Sequence, residues 1–194
     1  MILDAAEAIV LEQGFAALNA RKIAMKVGYT VGSIYMVFAN MADLALHVKA
    51  RTLDDLSAQL LQVPDKDAPQ VIEALATTYL RYASQNYNRW RMIFDHHPEC
   101  PPDSFEWYRQ KVDHVFQIVE SPFTKLGVPC ADAEKKRAAR TLWAGVHGVC
   151  TLALSGSLDV AGVDDVEASV ILLVRSFIQG WVCQFQTNSY AQIL

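Results

Sequence analysis

The residues best placed to do chemistry in this chain lie between Ala20 and Phe38. Arg21, Lys22 and Lys26 bring positive charge, Thr30, Ser33 and Tyr35 bring hydroxyls, Gly32 leaves the backbone bare, and Val31 and Met36 offer apolar surface. No nucleophile is paired with a base there, so the mixture is not that of a catalyst. It suits a nucleic acid, where cations and hydroxyls hold phosphates while short side chains approach base edges. Arg21 and Lys22 open a helix, and its backbone N–H groups can join their side chains around a phosphate. Val31 can touch a thymine methyl, and Gly32 lets the backbone come close. From Gln13 to Ala42 there is no Asp or Glu, whereas 21 acidic residues spread over 194 positions would put about three there. A phosphate backbone meets no repulsion in that window.

The elements that must position these groups can be read around them. Ile23, Ala24 and Val27 form the apolar face of a short helix capped by Asn19, and Gly28 follows where a helix end needs positive φ. Thr30 caps a second helix, expected to run from Val31 to Phe38 and to bury Ile34, Val37 and Phe38. Two short helices and a glycine turn make a helix-turn-helix, whose second helix is offered to the major groove. An ordinary helical hairpin in a core has the same pattern. Before it, Ile2, Leu3, Ala6, Ile9 and Val10 recur at helical spacing up to Gly14. After it, Asn40 caps a long helix from Met41 to about Val63, closed by Pro64.

These residues carry a resemblance. IleLeuAspAlaAla from position 2, GlnGlyPhe at 13–15, IleAla at 23–24 and GlyTyrThrValGlySerIleTyrMetValPhe at 28–38 resemble the TetR family of bacterial transcriptional regulators over roughly residues 2–48. The resemblance implies that Tyr35 and the Thr30 hydroxyl meet phosphates, while Gly32, Ser33 and Met36 approach base edges. The family often has Lys where Val31 and Met41 stand, and often a basic arm before the first helix; this chain departs from it at all three. The expected fold is all-α, with an N-terminal three-helix DNA-binding domain (1–46). The long fourth helix joins it to a helical ligand-binding and dimerisation domain (47–194).

Composition agrees with an all-helical chain. Hydrophobic residues make up 52% of it, and Pro and Gly are sparse. Helices are expected from Ala68 to Tyr87, from Asp103 or Ser104 to a kink or break at Pro122, from Asp132, and from Val166 onward. Residues 88–102 read as a short apolar piece and a Pro-rich loop. Tyr79, Tyr82, Trp90, Phe94, Tyr108, Phe116, Trp143 and His147 are the candidates for an effector pocket, whose ligand would be apolar or aromatic. For each of them plain core packing is the competing reading. Residues 142–154 are hydrophobic or small all round, as in a helix buried on every side. We therefore expect the last two long helices to pair with their copies in a homodimer through Val146, Val149, Val170, Val174, Phe177 and Trp181. The TrpAlaGlyValHisGly run at 143–148 also resembles the regulatory domain of one TetR branch.

Other classes find less support. Cys100, Cys130, Cys150 and Cys183 lie far apart with no CxxC pair, which fits free thiols in the cytoplasm. No signal peptide is evident, and the charge-free run at 141–158 is at the lower limit for a membrane span of about 18 residues. His96, His97 and Cys100 are too few to hold a metal alone, and no cofactor motif is present. GxGxxG, a P-loop, HExxH and GxSxG are absent, so an enzyme is not expected. Lys135 to Arg137 read as a solvated helix start. The expected function is a ligand-responsive regulator, a repressor binding a palindromic double-stranded operator and released by a small molecule. A helical scaffold protein with a weakened helix-turn-helix is the alternative.

Overall fold

The computed structural model describes residues 1–94 and 102–191, with the side chains of 102–105 and 186–191 left aside. Among the described residues it is all-α, without strands. The helices are α1 (Ile2–Gln13), α2 (Ala20–Val27), α3 (Val31–Tyr35), α4 (Met41–Leu60), α5 (Ala68–Gln85), α6 (Tyr87–Phe94), α7 (Pro102–Thr124), α8 (Asp132–Leu154), α9 (Ser157–Val160) and α10 (Val166–Ala191). A single 3-10 turn at Phe15–Ala17 follows α1. The chain forms two compact units, Met1–Ser57 with Gln85–His114, and Ala58–Ser84 with Val115–Leu194.

The first unit is built as its caps dictate. Asn19 Oδ1 accepts from the Lys22 N–H at 3.0 Å, opening α2. Gly28 closes it in the left-handed region at φ 73°, its N–H bonded to the Ala24 carbonyl. Thr30 then caps α3 by accepting from the Ser33 N–H at 3.3 Å. Ile9, Val10, Ile23, Ile34, Leu44 and Val48 meet in the core between α1 and α4 and are nearly or fully buried. Met92 of α6 completes that core. The expected third helix is shorter than its pattern. It stops at Tyr35, and Val37, assigned to the buried face, is exposed, while Ile34 and Phe38 stay inside. Once the helix ends, residues 36 to 38 turn rather than continue the 3.6-residue period, and that rotates Val37 outward.

The expected short apolar piece forms helix α6. Its start is tied down by Asn88 Nδ2, which donates to the Leu11 carbonyl at 3.0 Å. Arg89 adds ion pairs to Glu7 at 2.7 Å and Asp55 at 3.4 Å. Arg51 bridges Asp4 at 2.6 Å and Glu7 at 3.3 Å, and hydrogen bonds to the chain's terminal ammonium and Arg51 hold the Asp4 carboxyl down to about 2. His96, His97 and Cys100 lie outside the described residues.

In the second unit α8 packs along α10. Pro122 does not interrupt α7. It is the third residue from the end, so the one hydrogen bond it removes, to the Ile118 carbonyl, lies where little helix remains to follow. Gly145 is the point of close approach, since a Cβ there would lie 3.1 Å from a Leu173 methyl. Lys135 and Arg137 pair with Asp132 and Glu134 one turn earlier on the surface of α8.

Candidate DNA-reading surface and effector cavity

The reading surface is assembled from the outward sides of α2 and α3. Burial of Ile23 and Ala24 on one helix and Ile34 on the other turns Arg21, Val31, Gly32, Tyr35 and Met36 to solvent, with Ser33 half-buried. Met36 is 88% exposed and Val31 36%, unusual for apolar side chains on a structured turn. Thr30 and Ser33 hydroxyls lie 3.0 Å apart, so the cap also pairs the two hydroxyls nearest the helix start. Lys22 Nζ rests on Gln13 Oε1 at 2.7 Å and Lys26 Nζ on Glu12 Oε1 at 3.3 Å. Such exposed contacts are worth about 0–1 kcal/mol, so a phosphate can replace them. Of the eight predicted DNA-facing residues, Arg21 and Lys22 stand on α2, Val31, Gly32, Ser33 and Tyr35 on α3, and Thr30 and Met36 at the two ends of α3. Met25 and Tyr29, which the sequence pattern does not single out, are exposed beside them. Their only signal is an apolar residue falling off the helical face.

The second unit holds a cavity of about 40 Å³ between α5, α7, α8 and the last residue of α4. Tyr79, Phe116 and Trp143, three of the expected pocket residues, line it. The rest of the wall is aliphatic or Phe123: Leu60, Ile72, Leu75, Val115, Val119, Leu142 and Val146 with Ala76 and Ala139. No lining residue carries a charge. Tyr82 is fully buried in the same unit without lining the cavity. Trp90 and Tyr108 are buried in the first unit, where burial pushes the Tyr108 hydroxyl up to about 12, and Phe94 is exposed there. None of these three lines the cavity.

At the rim of the cavity, the Tyr79 hydroxyl and His147 Nδ1 are hydrogen-bonded at 2.9 Å. The His147 ring stacks on Trp143 with centroids 5.3 Å apart, and Phe116 meets Trp143 edge-on at 5.0 Å. Burial lowers the His147 pKa, favouring the neutral ring. Arg140 lies over Phe116 at 4.6 Å and pairs with the largely buried Glu120 at 2.7 Å, which neutralises that acid outside the apolar wall.

Four of the six expected interface residues face inward in the single chain. Val146, Val170, Val174 and Trp181 are buried within the single chain, Val146 in the cavity wall and Trp181 edge-on to Phe123. Val149 and Phe177 are both half-buried at its surface. Because α8 and α10 pair with each other first, most of these side chains are spent inside one protomer. The surface left open carries Thr141, Ala144 and Leu152 on α8 and Ala168, Leu172, Ser176 and Gly180 on α10.

Two family models match this chain. Residues 2–48 match the bacterial regulatory proteins of the tetR family, and residues 72–177, more than half of the chain, match the tetracyclin repressor-like C-terminal domain. The chain belongs to the TetR family. It is therefore a DNA-binding transcriptional regulator with the fold of that family. Similar solved structures include a protein with unknown function from Rhodococcus sp. RHA1, at TM-score 0.74 and 22% identity over 92% of each chain. The TetR family transcriptional regulator PfmR from Thermus thermophilus aligns at TM-score 0.66 and 15% identity, over 92% of this chain and 97% of that one. A TetR variant from Acinetobacter baumannii AYE, in complex with minocycline, aligns at 0.67 and 16% identity over 95% and 96%. No curated protein matches the sequence.

Proposed function

We propose that this TetR-family protein is a cytoplasmic homodimeric repressor that binds a palindromic operator and leaves it when a small neutral molecule enters the cavity. The observation that carries the reading is the acid-free stretch 13–42, along which Arg21, Tyr35 and Met36 are exposed. Residues 1–46 serve as the reading head and 47–194 as the part that senses and dimerises. Two heads in a dimer read half-sites about 34–36 Å apart.

The dimer follows from α10. Its stretch Val166–Phe185 has a mean hydropathy of 1.5, yet only 22% of it is buried in one chain. By length and composition alone it could cross a membrane, but its pairing with α8 and its Ala168, Ser176 and Gly180 at four- and eight-residue spacing suit close packing against a second copy. The effector reading rests on the apolar, uncharged lining of the cavity, which is small in this conformation. Ligand pockets run to about 300–1,000 Å³, so a ligand must part the helices around this one, and Leu60 ties the end of α4 to that wall. Ligand and DNA then favour different members of one ensemble. An uncharged wall excludes an ionic ligand because desolvating a charge is costly.

The test is binding of the purified protein to the DNA upstream of its own gene, as a function of salt, beside Tyr35→Ala and Arg21→Ala. Repression requires affinity that falls steeply with salt and drops in both variants. Binding unaffected by either variant at low salt would refute the assigned surface.

A further inference from the structure

We infer that the operator is read through thymine methyl groups, by Val31 and Met36 across the bare backbone of Gly32; the inference rests on the regulator reading above. From Thr30 to Val37 there is no Arg, Lys, Asn, Gln, Asp or Glu. Guanine is usually read by Arg or Lys, adenine by Asn or Gln, and cytosine by an acid. None of these stands on this helix. The hydroxyls of Thr30 and Ser33 are engaged with each other at 3.0 Å, and Thr30 also caps the Ser33 N–H. What faces outward is Val31, Gly32, Tyr35, Met36 and Val37, and the base edge that suits an apolar side chain is the thymine methyl.

The fold does not require this apolar surface. Ile34 and Phe38 fill the core, and neither Val31 nor Met36 joins it. Gly32 has no positive φ, and a Cβ built there meets only Thr30 Oγ1 at 3.7 Å, an ordinary contact. The missing side chain is thus not a demand of the protein interior. It leaves the backbone bare beside Val31 and one turn before Met36, where the major groove edge of a base pair can come close. The unbranched thioether of Met36 can adapt to the methyl that it meets. Arg21, Lys22 and Lys26 in the same acid-free window direct this patch to a polyanion rather than to an apolar protein partner.

The test begins by selecting bound sequences from random DNA duplexes with the full-length protein, followed by synthesis of the winning site with uracil in place of thymine, one position at a time. Uracil keeps every hydrogen-bonding group and lacks only the methyl. Burying a methyl is worth about 0.8 kcal/mol, about fourfold in affinity, and about fourteenfold when both half-sites are changed. Val31→Ala and Met36→Ala should each abolish the uracil penalty at one position and leave the others intact. Both side chains are at the surface, so thermal unfolding should not move. Selection of a defined site that binds its uracil form as tightly as its thymine form would overturn the inference and leave the regulator reading standing. Failure to enrich any sequence, with no salt-sensitive binding, would overturn both.

Discussion

Replacing Gly32 with alanine should move stability and DNA affinity in opposite directions. Gly32 lies in the first turn of α3 with ordinary negative φ, and the added Cβ would touch nothing nearer than 3.7 Å. Glycine within a helix costs about 0.5–1 kcal/mol relative to alanine, largely through the freedom of the unfolded chain. The variant should therefore be more stable by about 0.5 kcal/mol or slightly more, raising Tm by about 1–3 °C for a chain of this size. At the DNA surface the same methyl enters a close-packed contact. Overfilling such a contact costs about 1–3 kcal/mol, or roughly 5- to 150-fold in affinity per half-site. Differential scanning calorimetry and fluorescence anisotropy on the selected operator measure the two quantities in one preparation. A variant that is stabilised and binds DNA as tightly as the parent would refute the idea that the groove approaches this backbone. A destabilised one would refute the reading of Gly32 as free of structural demand.

Three further outcomes follow from the second unit. His147 is held neutral by burial, so its folded pKa lies below the ordinary 6.5 and the unfolded chain binds the proton first. Stability is then full above about pH 6.5 and falls as pH drops toward the lowered value; in His147→Gln, unfolding followed from pH 7.5 to 5.5 should lose part of that slope. Leu172→Glu places a charge on an α10 side chain that is 67% exposed in one chain, so folding should survive while sedimentation mass falls from a dimer to 21.6 kDa. An unchanged dimer would exclude that face. Gly145→Val forces methyl groups into the 3.1 Å approach to Leu173 and should cost about 1–3 kcal/mol in chemical denaturation, whereas a neutral result would mean that Leu173 swings aside freely.

The helix-turn-helix was legible because its signals are local. Asn19, Gly28 and Thr30 each act on backbone within three or four residues, and all three do so in the structure. The end of α3 was not, because Ile34 and Phe38 satisfy the core without a continuous helix between them, and Val37 is left outside. The helical form of the short apolar piece, α6, was not legible for a related reason. Asn88 and Arg89 hold it through Leu11 and Glu7, which no local pattern reveals. In the cavity, aromatic residues drew the reading toward Trp90 and Tyr108, whereas most of the wall comes from aliphatic side chains spaced like any core. Where a helix is apolar all round, as α8 nearly is, periodicity cannot say which side turns inward. Valines 146, 170 and 174 show the result.

In the proposed homodimer, the poorly covered α10 would link the lifetime of the protein to its abundance. A folded state completed by a second copy is favoured by mass action, so dilution lowers the melting temperature even when nothing in the chain changes. In that dimer a newly made subunit would carry an apolar helix in the open until it met its twin, and during that interval it would be a substrate for proteases and chaperones. Paired half-sites on DNA would shorten the search by holding two subunits at high effective concentration. Scarcity would then clear unpaired subunits, while those already on the operator would persist.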